Sequence, residues 1–205
     1  MKNTLSLTLI VKNEAGTLDR ILKNAHLYAD EIVIIDTGSN DRTKEIAKTY
    51  TDKVYDFVWC DDFSKARNFG IEKCSMDFVM WIDADDVISD ENARKIKQLF
   101  TAPIDWDVCY VTYNTVYDSR GKVVESLSRE RIFRNHKGIL FYFPIHEQIK
   151  YNHTHKCKVV KNISVEHKPV AEKQTEKMAE NRNLTLLQKP YNNPNTATQQ
   201  LFGDI

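Results

Sequence analysis

The stretch Asp77 to Asp86 reads DFVMWIDADD, an unbroken apolar run that ends abruptly in carboxylates. A strand with one face in water alternates apolar and polar side chains, and this one does not. It fits a strand covered on both faces, as in the parallel sheet of a layered α/β domain. Glu31 to Asp36 (EIVIID) has the same character. Those two segments fix most of what the chain can become.

The remaining segments fall into place around them. Leu5 to Val11 reads as a first strand and Lys53 to Val58 as a third. Helical spacing covers Asn13 to Asn24, with Leu18, Ile21 and Leu22 on one face, and recurs over Asp41 to Tyr50 and Ser64 to Cys74. Ser89 or Asp90 can cap a further helix to about Phe100. Strands alternating with helices predict a Rossmann-like α/β half. Beyond residue 106 the pattern changes. Asp107 to Tyr117 is rich in Val, Thr and Tyr and predicts a long strand, with shorter ones at Lys122 to Ser126, Arg131 to Asn135, Ile145 to Tyr151 and Lys158 to Val165. A mixed sheet with antiparallel pieces accommodates them. Residues 1–170 thus form the expected main domain. Residues 171–205 read as a short helical tail, with Met178, Leu184, Leu186 and Leu187 as sparse anchors, and as a truncated chain or the start of a further helical region.

Composition narrows the function classes. Lys plus Arg and Asp plus Glu both number 29, so bulk charge gives no support to a nucleic-acid binder. No apolar run is long enough for a membrane-spanning helix, so an integral membrane segment is not expected and any membrane contact would be peripheral. Four cysteines without CxxC pairing predict reduced thiols and a cytoplasmic protein, at most at the inner face of a membrane. The six glycines form neither GxGxxG nor a phosphate loop.

The sharpest chemistry lies at the strand ends. Ligands of open α/β sheets bind outside the carboxyl ends of the strands, where Asp83, Asp85 and Asp86 stand together. Like charges clustered after a buried strand are unfavourable without a cation. Mg²⁺ or Mn²⁺ wants hard oxygen ligands and is commonly shared with substrate phosphates. A solvated acidic turn capping the next helix is the plainer reading of the same residues. Asp36, followed by Thr37-Gly38-Ser39-Asn40, ends the second strand in the same manner, as a ligand group or as a simple acceptor for turn amides. Arg67 lies on the third helix, buried against a nucleotide or Asp83, or else in a surface ion pair. His146 and Glu147 adjoin at a strand start, where either suits a general base or a half-exposed edge. His153, His155 and Cys157 lack a fourth partner for zinc.

In order, LIVKNEAGTLDRIL, ADEIVIIDTGSNDRTKEIA, WCDDFSKARNFGIEKC, DFVMWIDADDVI and FPIHEQI resemble glycosyltransferase family 2, with the glycosyltransferase-A fold, over about residues 4 to 150. The resemblance is to bacterial members that often continue into tetratricopeptide-like repeats. It implies an inverting enzyme using a nucleoside-diphosphate sugar, most often UDP-linked, with Mg²⁺ or Mn²⁺. Val11, Lys12, Glu14 and Asp36 would border the nucleoside, and Arg67 would contact the nucleotide. Asp83 would face ribose or metal-bound phosphate, Asp85 would bind the metal, and His167 would approach the metal or diphosphate. Glu147 is the preferred base and His146 the second choice, because the family's acidic pair is replaced here by His-Glu. The acceptor stays open among glycans, lipid-linked molecules and proteins, and a homodimer stays open too.

Two competing readings exist. IDADDV also fits the opening motif of haloacid-dehalogenase-like phosphatases, with Asp83 as nucleophile and Asp85 as acid/base, although that motif usually sits on the first strand. A non-catalytic sugar-nucleotide-binding module is the other.

Overall fold

A computed structural model describes residues 3–169; the expected tail, 171–205, lies outside them. Ten strands alternate at first with helices: β1 (Leu5–Val11), α1 (Leu18–Leu22), β2 (Glu31–Asp36), α2 (Thr43–Lys48), β3 (Val54–Asp56), α3 (Phe63–Lys73), β4 (Phe78–Trp81), β5 (Asp86–Val87) and α4 (Asp90–Leu99). Strands then dominate, with β6 (Val108–Tyr117), β7 (Val123–Arg134), β8 (Leu140–Tyr142), β9 (Gln148–Lys150) and β10 (Cys157–His167). One eight-stranded sheet runs β3-β2-β1-β4-β7-β6-β10-β5, and β8 with β9 forms a separate hairpin. The first four strands in that order are parallel. β7 joins β4 antiparallel and β6 joins β7 antiparallel.

The continuous apolar strands are covered on both faces. Phe78 and Met80 of β4 enter one core with Leu18, Ile21 and Leu22 of α1 and Ala93 and Ile96 of α4. Val79 and Trp81 enter the other with Ile71 of α3 and Phe141 and Ile149 of the hairpin. Each fully buried large side chain there contributes roughly 1.5–3 kcal/mol by burial.

Several expected boundaries move. The first helix covers Leu18–Leu22 rather than Asn13 to Asn24, because Asn13 has φ 54° and the chain turns before α1 can start. The carbonyl of Glu14 then accepts from the amides of Thr17 and Leu18. The two short strands expected at Lys122 to Ser126 and Arg131 to Asn135 are one strand, β7. The polar residues between them sit in an exposed ribbon paired with β6, where pairing needs no apolar side chains. The acidic run itself supplies β5, whose two residues pair with Glu166 and His167.

Candidate active site

The site forms where β4 ends, and α3 supplies its first cation. Asp62 caps α3 by accepting from the Lys65 amide at 3.1 Å. The buried stripe of that helix is Ala66, Arg67, Gly70 and Ile71, so a guanidinium sits at a core position. Buried charge needs partners. Arg67 donates through Nη2 to Asp83 Oδ1 at 2.5 Å and through Nε to Glu147 Oε1 at 2.7 Å. Its guanidinium also lies 4.4 Å from the Trp81 ring centroid. Arg67 therefore ties the end of β4 to the loop before β9.

A second buried cation stands opposite. Arg131 is 0% exposed, sandwiched between the rings of Trp81 at 4.0 Å and Tyr113 at 4.3 Å. Its Nη2 lies 3.0 Å from Asp86 Oδ2, and Nη1 lies 3.6 Å from Asp83 Oδ2. Arg131 is the residue skipped in the β6–β7 register, where Cys109 faces Ile132 and Tyr110 faces Glu130. Such bulges re-aim side chains beside functional sites.

The carboxylates divide by role. Asp86 is fully buried, accepting from Tyr113 Oη and from the Asp83 amide, both at 2.9 Å. Burial alone would raise the pKa of Asp83, but Arg67 and Arg131 outweigh it and hold the carboxyl well below the usual range. His167 Nδ1 lies 3.0 Å from Tyr113 Oη and 3.5 Å from Asp85 Oδ1. Its contact with Asp86 raises its pKa above the ordinary value, burial opposes this, and the charges of Asp85, Asp86 and Asp83 add to the rise. Ligand atoms of Asp85, Asp86 and His167 all lie within 4.8 Å of one another. Two carboxylates and an imidazole suit a divalent cation, and the partly exposed Asp85 and His167 are the two open to solvent. Asp83, also expected at the metal, is engaged by Arg67 and Arg131.

The residues expected to border the nucleoside lie at and just after the ends of β1 and β2. Asp36 Oδ2 accepts from the amides of Gly38 at 3.0 Å and Ser39 at 2.9 Å, and Gly38 has φ 102°, which a side chain would resist. Asp36 Oδ1 is buried with no hydrogen-bond partner among the described residues. The Val11 carbonyl receives the Thr37 amide at 3.0 Å. Glu14 is buried and bonds Thr17, while Lys12 is exposed. His146 is exposed with φ 54°, in contrast to the enclosed Glu147. Sequence reasoning passed over Arg129, Arg131, Trp81 and Tyr113. Arg129 and Arg131 both stack on Trp81, but a bulge in β7 sets Arg131, and no local sequence pattern states it.

A family model described as glycosyl transferase family 2 matches residues 6–163. The chain belongs to glycosyl transferase family 2, and that membership removes the phosphatase reading. A TPR repeat-containing protein of Synechococcus elongatus is 34% identical over 145 residues, 71% of this chain and 35% of that protein. The SPbeta prophage-derived glycosyltransferase SunS of Bacillus subtilis is 28% identical over 167 residues, 80% of this chain and 39% of that protein. The chain thus spans little more than a third of the length of these curated relatives. The fold is similar to that of glucosyl-3-phosphoglycerate synthase from Mycobacterium tuberculosis, solved with Mn²⁺, UDP and phosphoglyceric acid. The TM-score is 0.58 at 18% identity, covering 91% of this chain and 78% of that one. The α/β, glycosyltransferase-A architecture expected from the sequence is the one observed.

Proposed function

We propose that this domain transfers a sugar, with inversion, from a nucleoside-diphosphate sugar, UDP-linked, to a glycan, lipid-linked or protein hydroxyl. The observation that carries the reading is the group at the end of β4: Asp85, Asp86 and His167 gathered within 4.8 Å, beside Asp83 held by Arg67. The UDP and Mn²⁺ bound by the structurally similar synthase support the donor and the cation. The unpartnered, buried Asp36 Oδ1 suits an N–H of a nucleobase. Asp85 and His167 would hold Mg²⁺ or Mn²⁺, which when bound offsets negative charge on the diphosphate.

Glu147 serves as base. Arg67 Nε holds Oε1, which fixes the carboxylate's orientation and leaves its second oxygen for the acceptor hydroxyl. The acceptor oxygen bonds to the anomeric carbon as the bond to the diphosphate oxygen breaks. The hydroxyl proton passes to Glu147, and the electron pair departs with the diphosphate. Glu147→Gln should leave UDP affinity within about twofold while transfer falls by about 10²–10⁴-fold. Sugar release from UDP-sugar, followed with and without added acceptors, is the measurement. Undiminished transfer would move the base to His146 or elsewhere.

A further inference from the structure

Three guanidinium groups surround the Trp81 indole, and two are already committed. Arg67 is bound to Asp83 and Glu147, and Arg131 to Asp83 and Asp86. The third, Arg129, has its guanidinium 5.4 Å from the Trp81 centroid, farther out than the other two. Its Nε is buried and unpaired, and it makes no side-chain hydrogen bond or ion pair with any described residue. A buried N–H donor left without an acceptor is costly.

Its place in the sheet says where the missing acceptor belongs. β7 runs antiparallel to β4 with Met80 opposite Ile132, so Arg129 stands past the carboxyl end of β4. Ligands of open α/β sheets bind there. Its guanidinium lies over the Trp81 ring at the end of β4, beside the acidic turn rather than out on the exposed ribbon. The Trp81 Nε1–H donates to the Glu130 carbonyl at 2.7 Å and pins the backbone between the two arginines.

We propose that Arg129 is a diphosphate-binding residue, its fork gripping the phosphate oxygens of the nucleotide. The proposal rests on the donor assignment above and deepens it. A nucleoside diphosphate carries more negative charge than one divalent cation cancels, and Arg67 and Arg131 are occupied by carboxylates. Arg129 supplies the remaining positive charge where the leaving group gathers electrons.

Calorimetric titration of the full chain with uridine, UMP and UDP, in Mn²⁺, tests this. Arg129→Gln should weaken UDP by about ten- to a hundredfold and leave uridine within about twofold. Arg129→Lys should fall between, because the charge stays while the fork is lost. Should Arg129→Gln fail to fold, judged by its melting transition, the UDP-to-uridine ratio of Arg129→Lys decides. Unchanged UDP affinity in a folded variant, or a parallel loss of uridine and UDP, overturns the proposal. An unmodified chain that binds no nucleoside diphosphate overturns the donor reading itself, and that result is visible before any variant is made.

Discussion

At the scale of single residues, the site is a set of charges that neutralise one another. Tyr113 shows how tightly. Its hydroxyl donates to the fully buried Asp86, and burial together with the Asp86 charge pushes the phenol well above its ordinary pKa. Tyr113→Phe removes one hydrogen bond to a buried anion, so unfolding free energy should drop by about 1.5–3 kcal/mol in a urea titration. A change under about 0.5 kcal/mol would mean that Asp86 is satisfied by Arg131 and the Asp83 amide alone. Legibility at this scale was uneven. Asp83, Asp85 and Arg67 announce themselves through strand ends and helix spacing, and the fold brings them together. Tyr113 and Arg131 lie on strands whose register no local pattern states, and a bulge places Arg131. His167 came from resemblance, as did the choice of Glu147 over its neighbour His146.

At the scale of elements, the seam between α3 and the sheet sets the position of Arg67. A Cβ at Gly70 would lie 2.7 Å from Thr8 Oγ1 and 3.2 Å from Ile35 Cγ1. Alanine would gain about 1 kcal/mol of helix propensity, but both neighbours sit on buried strands and yield little. Gly70→Ala should therefore destabilise by about 1–3 kcal/mol in thermal or chemical unfolding, and a stabilised variant would show that α3 shifts freely. At the other end of the same seam, Glu31 bonds Lys53, Ser6 and the amide and hydroxyl of Ser75. Burial raises its pKa, but those bonds outweigh burial and bring it down from 4.5 to about 2. A depressed carboxylate pKa stabilises the fold above the unfolded value, so this contribution is lost as pH falls from about 4.5 towards 2. Glu31→Gln should flatten stability against pH across that window, by an amount on the order of 2 kcal/mol given the half-exposed Lys53 partner. An unchanged acid limb would assign the transition to other carboxylates. The apolar strands were readable because burial on both faces leaves no alternation to misread. β5 and β8 were not, since strands of two or three residues are made by their partners rather than by their own sequence.

At the scale of the whole molecule, donor and cation should stabilise the fold together. UDP with Mn²⁺ at about 100 times its Kd should add about 2.7 kcal/mol, and UDP alone less. A melting temperature indifferent to UDP or GDP, each with metal, would contradict the nucleotide site. Among the described residues no helix is long and apolar enough to cross a membrane.

The stitch between β5 and β10 has a bearing on how the chain is made. Asp86 and Val87 leave the ribosome well before Glu166 and His167, which pair with them. At about 5–20 residues per second the interval is on the order of seconds. Through it the acidic turn lacks its imidazole and its edge partner, and the Lys168 amide has yet to reach the Asp85 carbonyl. The centre thus closes only when β10 arrives, and a nascent chain halted before that strand carries the Asp36 turn without the gathered Asp85, Asp86 and His167.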